Sequence, residues 1–118
     1  MQLKNDLDGR VLLDSTICDF YKENGNRIAR RFLHSEDKQW NCLYSHFLID
    51  RKHVIRYGIA EDRGFWSGSI ELGIGPHYFG VSAFWSYEDA ERFTMESTTE
   101  GIKKNLTLLD EFLGYKNI

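Results

Sequence analysis

The 118-residue chain contains few of the residues that cross-link small domains or interrupt folded segments. It has one proline, Pro76, and two cysteines, Cys18 and Cys42, which do not form a C-x-x-C pair. A chain of this length can bury roughly two thirds of its unfolded surface in one core, so it needs no disulfide. We therefore expect a single domain over residues 1–118 with two free, buried thiols in a reducing compartment; a disulfide bridge is the alternative.

Long apolar runs and an excess of basic residues are also missing. No apolar segment approaches the roughly 20 residues of a membrane-spanning helix, and the N-terminal MQLKNDLDGR is too polar for a signal sequence. The net charge is −3, and residues 69–118 carry eight acidic and four basic side chains. Nucleic-acid binding requires concentrated Lys and Arg. We expect a cytoplasmic protein that binds neither nucleic acid nor membrane, and the acidic balance favours a basic macromolecular partner.

The sequence lacks the motifs of common catalytic and metal sites. There is no G-x-S-x-G, H-E-x-x-H, P-loop or zinc-finger spacing. Residues 73–75 (Gly-Ile-Gly) lack the third glycine of a dinucleotide loop. Cys42 and His46 would share one side of a strand, but about 13 Å apart, which is too far for one metal ion. We therefore expect no metal, no cofactor and no enzymatic activity.

Apolar periodicity predicts a helix followed by strands. Asp8 is the predicted N-cap of a helix that ends near Glu23, with an apolar stripe at three- and four-residue spacing. Strands are predicted over residues 26–34, 39–49 and 53–60, and the first, rich in arginine, has the character of an edge strand. Residues 69–86 alternate with a period of two on both sides of Gly75-Pro76, which predicts a hairpin.

The remaining residues predict C-terminal helices. Ser86 can cap a helix that starts with two acidic residues, and Ser97-x-x-Glu100 forms a capping box. These signals predict two helices, or one helix broken near Ser97, ending at Gly114. The predicted fold is therefore α+β in two layers, with an N-terminal helix, about five mainly antiparallel strands, and one or two C-terminal helices packed on the sheet.

Two stretches have the residue types of a partner-binding surface. Residues 61–68 are predicted to form a loop whose aromatic side chains either fold back over the sheet edge or stay exposed as an anchor for a partner. The helical region after Ser86 is predicted to present an acidic face. The candidate partner-binding residues are Glu61, Asp62, Phe65 and Trp66 in the first stretch, and Glu88, Asp89, Glu91 and Glu96 in the second.

The order and character of these segments resemble a known class of proteins. The resemblance comprises a helix that ends in FYKENG, a strand pair WNCLYSHFLIDRKHVIRYGIA, an aromatic hairpin and a leucine-bearing C-terminal helix. It is to the small bacterial immunity proteins of contact-dependent inhibition and other polymorphic toxin systems. This resemblance implies a cytoplasmic protein that binds and neutralises a cognate toxin domain, a nuclease being one such toxin, through an acidic and aromatic surface.

Other functions remain open at this stage. A pocket between sheet and helices, lined by Trp40, Tyr44, Tyr57 and Trp85, would indicate a small-molecule-binding or enzymatic domain. His46 is then the polar residue to test. A dimeric structural module is a third possibility.

Overall fold

A sheet of five antiparallel strands forms the centre of the structure, a computed structural model that describes residues 6–23, 29–49, 53–63 and 65–114. Its strands are β1 (Ala29–Asp37), β2 (Cys42–Ile49), β3 (His53–Asp62), β4 (Phe65–Ile74) and β5 (His77–Gly80). They lie in sequence order, each antiparallel to the next. β3 is therefore the central strand, and β1 lies at an edge as predicted.

Two helices, α1 (Asp6–Glu23) and α3 (Thr99–Leu113), cover one face of this sheet, here called the inner face. A single helical turn, α2 (Tyr87–Ala90), precedes α3. α1 and α3 pack against each other, and both contribute side chains to the same core cluster as the sheet. The predicted two-layer α+β fold is confirmed.

The core follows the two periodicities of the sequence. Alternate residues of β3, namely Ile55, Tyr57 and Ile59, point to the inner face and are fully buried. The predicted stripe of α1 is confirmed. It consists of the buried residues Leu12, Leu13, Thr16, Ile17, Phe20 and Tyr21. Because strand and helix patterns converge on one layer, a single core forms.

Polar contacts join each long helix to the sheet. From α1, Asp14 accepts a hydrogen bond from the Ser45 hydroxyl at 2.6 Å and contacts the ring of His34 at 2.5 Å. From α3, the buried Asn105 donates to the Tyr57 hydroxyl at 2.9 Å. The same amide group donates to the Thr94 carbonyl and accepts from its N–H, both at 2.8 Å. Burial raises the pKa of Tyr57 to about 12, so the phenol stays neutral.

Capping fixes the ends of the C-terminal helices. The Ser86 hydroxyl accepts from the Asp89 N–H at 3.2 Å, which confirms the predicted start of α2. The predicted cap at Ser97 is wrong by one residue, because the Thr98 hydroxyl accepts from the Gly101 N–H at 3.0 Å. Gly114 ends α3 with a φ of 85°, as expected for a left-handed C-terminal glycine.

Several predicted boundaries need correction. Asp8 lies inside α1, which already includes Asp6. β1 extends to Asp37, whereas residues 26–28 of the predicted first strand lie outside the described residues. β2 begins at Cys42 rather than at residue 39, because residues 38–41 form the turn between the two strands. Two helices are present after the sheet, not one broken helix.

Two larger corrections concern β4 and β5. Most of the predicted loop over residues 61–68 is paired strand: β3 continues to Asp62, β4 begins at Phe65, and Glu61 lies opposite Trp66. The hairpin turn at Gly75-Pro76 is confirmed, and Gly75 has a φ of 59°. The predicted strand beyond it ends at Gly80, where a 3-10 turn (Val81–Ala83) begins. The chain leaves the sheet there, and Val81 still packs against the core cluster.

The cysteines match the prediction in part. Both are free, so the bridge is excluded. Cys42 is buried, but Cys18 is exposed because it lies off the apolar stripe of α1. Burial raises the pKa of both thiols above the ordinary value, and for Cys18 the nearby carboxylates of Asp14 and Asp19 add to this effect.

Replacing Gly101 with alanine should destabilise the fold, although alanine usually stabilises a helix. A Cβ at Gly101 would lie 2.4 Å from the backbone oxygen of Glu96, so the chain before α3 would have to move. We expect Gly101→Ala to lower the free energy of unfolding by roughly 1–3 kcal/mol in urea denaturation. Gly80→Ala is the control, because a Cβ at Gly80 meets no atom within 4 Å. Equal stability of the two variants would contradict the steric explanation.

Candidate binding surfaces

No described helix covers the second face of the sheet, here called the outer face. Its side chains are the strand residues that alternate with the buried ones. In the register of the sheet, His46 of β2 lies opposite Arg56 of β3, and Arg56 lies opposite Glu71 of β4. Three polar side chains therefore form a row across the three middle strands.

Two tyrosine rings lie over glycines on this face. Tyr44 is directly opposite Gly58, where a Cβ would come within 2.8 Å of the tyrosine ring. Tyr78 is directly opposite Gly73, where the corresponding distance is 3.2 Å. A glycine in a strand often marks such a close approach. Because Gly58 and Gly73 have no side chains, both tyrosine rings can lie close to the sheet.

Arg56 occupies the space between these rings. Its Cζ lies 4.3 Å from the ring centre of Tyr44 and 4.5 Å from that of Tyr78. Its Nε and Nη2 each donate to one carboxylate oxygen of Glu71 at 3.0 Å. Desolvation alone lowers the pKa of Arg56, but the hydrogen bonds and charge of Glu71 outweigh it and the pKa is raised. The guanidinium is held by two cation–π contacts and a bidentate ion pair.

His46 extends the row to the edge strand β1. Its Nδ1 is 2.9 Å from the Tyr78 hydroxyl, and its Nε2 is 2.6 Å from the Ser35 hydroxyl. Desolvation, followed by the charge of Arg56, lowers the pKa of His46 below its ordinary value. The imidazole is therefore neutral at pH 7. We call this set of residues the Arg56 cluster: Ser35, Tyr44, His46, Arg56, Glu71 and Tyr78.

A different kind of surface lies at the end of the sheet that holds the β1–β2 and β3–β4 turns. Large apolar side chains are exposed there: Phe65 is 79% exposed, Met95 is 71% and Trp40 is 69%. Two acidic residues accompany them. Glu61 accepts a hydrogen bond from the Asn41 amide at 2.6 Å. We call this set the tip surface: Trp40, Glu61, Phe65, Met95 and Glu96.

Backbone pairing fixes the positions of Met95 and Glu96 beside β4. The Gly68 N–H donates to the Met95 carbonyl at 2.7 Å, and Glu96 forms a bridge opposite Ser67. The sequence predicts Glu96 on an acidic helical face. In the structure it lies between α2 and α3, beside β4. The structure thus brings residues from the two predicted stretches together.

The two aromatic residues at the start of β4, Phe65 and Trp66, point in different directions. Because successive strand residues point to opposite faces, Trp66 packs against the core cluster while Phe65 projects outward. Trp66 therefore folds back over the sheet, as one alternative predicts, and Phe65 has the exposure that the other alternative requires. Asp62 lies opposite Phe65 at the strand end, and its side chain is outside the described part of the chain.

The acidic residues of α2 border the same region. Glu88 and Glu91 are exposed, and Asp89 lies 3.9 Å from Arg92. Ala90, between them, lines a cleft of about 610 Å³ that also reaches Met95 of the tip surface. The acidic residues around Ala90, namely Glu88, Asp89 and Glu91, are here called the acidic turn, and one cleft therefore contacts both this turn and the tip surface. Tyr44 and Glu71 of the Arg56 cluster contribute to its wall.

The predicted pocket between sheet and helices does not form from the residues named for it. Tyr44 points to the outer face, whereas Tyr57 points to the inner face and is fully buried. Trp85 packs on the ring of Phe112 at 5.1 Å. Trp40 and Tyr44 instead line a separate cleft of about 540 Å³, together with Cys42 and Glu61.

Within the described ranges, no three His, Cys, Asp or Glu side chains are grouped so that they could hold a metal ion. The helices described here are all too short or too polar to cross a bilayer.

No protein-family model, curated protein or solved structure shows significant similarity to this chain. Its function must therefore be inferred from the chemistry of its own surfaces.

Sequence reasoning did not find the Arg56 cluster. A signal was present, because Gly58 and Gly73 interrupt two predicted strands and Tyr44 and His46 occupy alternate positions on a third. Glycine inside a strand indicates close approach of another group. The partner of each glycine depends on the register, however, and the register follows only from the assembled sheet.

The ion pair of Arg56 and Glu71 should contribute measurably to stability. Because it is bidentate and half-buried, a double-mutant cycle with Arg56→Ala and Glu71→Ala should give a coupling energy of about 1 kcal/mol in urea denaturation. The control cycle uses Arg92→Ala and Asp89→Ala, an exposed pair at 3.9 Å whose coupling should be close to zero. Similar coupling in both cycles would show that the outer-face geometry adds nothing.

Proposed function

We propose that this protein is an immunity protein, which binds a cognate bacterial toxin domain in the cytoplasm and neutralises it without carrying out a reaction. The observation that carries this proposal is the tip surface, where large apolar side chains stand exposed among carboxylates. The resemblance in segment order and character to toxin-system immunity proteins supports the choice of partner.

The apolar residues of the tip surface have the character of interface anchors. Phe65, Trp40 and Met95 are each more than two thirds exposed. Aromatic residues and methionine are enriched in protein–protein interfaces, and a few buried aromatic anchors usually supply most of the binding energy. Covering these side chains with a partner would remove a large apolar area from water.

The same surface is held in place before a partner binds. Phe65 lies on a paired strand, and the backbone of Met95 is bonded to β4. The Glu61 N–H donates to the Asn41 carbonyl at 3.1 Å, which joins the β1–β2 turn to β3. A surface that is already ordered loses less conformational entropy on binding, so more of the contact energy contributes to affinity.

Charge favours a basic partner. Glu61 and Glu96 lie on the tip surface, and the exposed Glu88 and Glu91 flank Ala90, which lines the same cleft as Met95. A nuclease toxin must attract phosphate, so its working surface is basic. Opposite charges on the two proteins would increase the rate of encounter and oppose binding to acidic proteins.

The function can be tested by neutralisation. The C-terminal domain of the protein encoded next to this chain's gene would be expressed in a host with and without the chain, and growth would be measured. We expect growth arrest by the domain alone, rescue by the chain, and a purified complex with one copy of each. A toxic domain that this chain neither binds nor neutralises would contradict the proposal.

Truncating the two neighbouring aromatic residues should have opposite consequences. Phe65→Ala should leave the free energy of unfolding nearly unchanged and weaken toxin binding at least tenfold, since the side chain is exposed. Trp66→Ala should lower the free energy of unfolding by about 2 kcal/mol or more, because that side chain packs on the core. Urea denaturation and calorimetric titration of the toxin domain separate these effects. Wild-type affinity of a folded Phe65→Ala variant would remove Phe65 from the interface.

Charge reversal tests the acidic component. Glu96→Lys should reduce the association rate with the toxin domain and reduce the dependence of that rate on salt. Asp19→Lys is the control, because Asp19 is exposed on α1 and belongs to neither the tip surface nor the acidic turn. Stopped-flow association at several salt concentrations would measure both variants. The charge argument fails if the two reversals slow association equally.

A further inference from the structure

Three polar groups of the Arg56 cluster form a hydrogen-bonded chain that is typical of an activated nucleophile. The hydroxyl of Ser35, an exposed residue, lies 2.6 Å from His46 Nε2. The other ring nitrogen of His46, Nδ1, lies 2.9 Å from the Tyr78 hydroxyl. A nucleophile within hydrogen-bond distance of a base, with the base oriented by a third group, is the general arrangement of nucleophilic catalysis.

The hydrogen bonds that link Ser35, His46 and Tyr78 depend on the register of the sheet. Ser35 lies opposite Tyr44 on β2, and the diagonal neighbour on the same face is His46. Tyr78 reaches the ring from β5, which lies three strands away from β2 in the sheet order. Strands β1, β2 and β5 therefore converge on one imidazole. No sequence motif marks this site, because the three residues lie on three separate strands.

The surroundings of His46 favour the neutral imidazole, which is the form that a general base requires. The charged or titratable groups around it are His34 from β1, Tyr44 from β2, Arg56 from β3, Glu71 from β4 and Tyr78 from β5. Desolvation and then the charge of Arg56 favour the neutral imidazole; Glu71 opposes them, and His34 adds a still smaller effect in favour of the neutral form. When Nδ1 carries the proton and donates to Tyr78, Nε2 is free to accept the proton of Ser35.

We propose that Ser35 is a reactive nucleophile that accepts an acyl group from a small activated ester or thioester. The Ser35 oxygen attacks the acyl carbon, and its proton passes to His46 Nε2. The bond between the acyl carbon and the leaving oxygen or sulfur then breaks, and His46 returns the proton to the leaving group. The product is acyl-Ser35, and no oxidant, reductant or cofactor is required.

Arg56 supports this step through its charge. It lies directly opposite His46 on the neighbouring strand, and Glu71 holds it in a fixed orientation. Its positive charge favours the neutral form of His46, which is the form that can accept the Ser35 proton. Ser35 is exposed and no described helix covers the outer face, so a small acyl donor can reach its hydroxyl. The reactivity of Ser35 does not require a bound toxin, since Ser35 and His46 are not part of the tip surface.

Acetylation by p-nitrophenyl acetate tests the proposal directly. The purified full chain is incubated with the ester, and intact mass and peptide mapping locate the acetyl group. We expect one rapidly formed acetyl group on Ser35, absent in Ser35→Ala. His46→Gln should slow its formation roughly hundredfold, as is typical when a general base is removed. Tyr78→Phe should slow it less, because that change removes only the group that orients His46.

Ser69→Ala is the matched control. Ser69 is an exposed serine on the same face of the sheet, on β4, and it does not contact a histidine in the described part of the chain. Its loss should leave the rate of acetylation unchanged. Circular dichroism confirms that each variant is folded. Acetylation of Ser35 at an equal rate in wild type and His46→Gln, or acetylation that spares Ser35 and modifies only lysines or His46, would overturn the proposal.

The pH dependence provides a second readout. Formation of acyl-Ser35 needs neutral His46, so its rate should fall only as the pH drops through the lowered pKa of that residue. At pH 6.5, where an unperturbed histidine is half protonated, the rate should stay above half of its plateau at high pH. A rate that falls to half of the plateau above pH 6.5 would show that His46 is not the base.

Discussion

The strict alternation of side chains along β3 is the constraint on which the rest of the structure depends. Ile55, Tyr57 and Ile59 point inward and complete the core, while Arg56 and Gly58 point outward. Because strand residues alternate with a period of two, a slip of one residue would place a guanidinium in the core and exchange the two faces. The buried hydrogen bond between Tyr57 and Asn105 fixes this register against α3.

This alternation gives the two faces different physical properties. The inner face is stabilised by the burial of apolar side chains. Two polar side chains buried there, Tyr57 and Asn105, hydrogen-bond to each other. No described helix lies over the outer face, which is stabilised by a network of ion-pair, cation–π and hydroxyl contacts centred on Arg56. Such a network can remain beside water without exposing a continuous apolar patch. At the edge of this network, Ser35 is exposed.

The sequence predicts those parts of the fold that arise from local periodicity. The stripe of α1 and the turn at Gly75-Pro76 follow from neighbouring residues, and both are confirmed. The extent of the strands was less predictable, because pairing between Glu61 and Trp66 continues through polar and aromatic residues that also suit a loop. Likewise, the alternation beyond Gly80 suits a strand, but packing of Val81 and Trp85 on the core takes the chain out of the sheet.

The candidate sites were predictable only as residue types. Acidic and aromatic residues near positions 61–66 and 88–96 were recognised, but nothing local shows that Glu96 would pair beside Ser67 or that Met95 would be exposed there. The Arg56 cluster draws on all five strands, so it exists only once the sheet has formed. Residues of both sites line one cleft: Tyr44 and Glu71 belong to the Arg56 cluster, and Met95 belongs to the tip surface. This juxtaposition also arises from the assembled sheet, since Glu71 lies on β4 and Met95 is held beside β4 by its backbone hydrogen bond to Gly68.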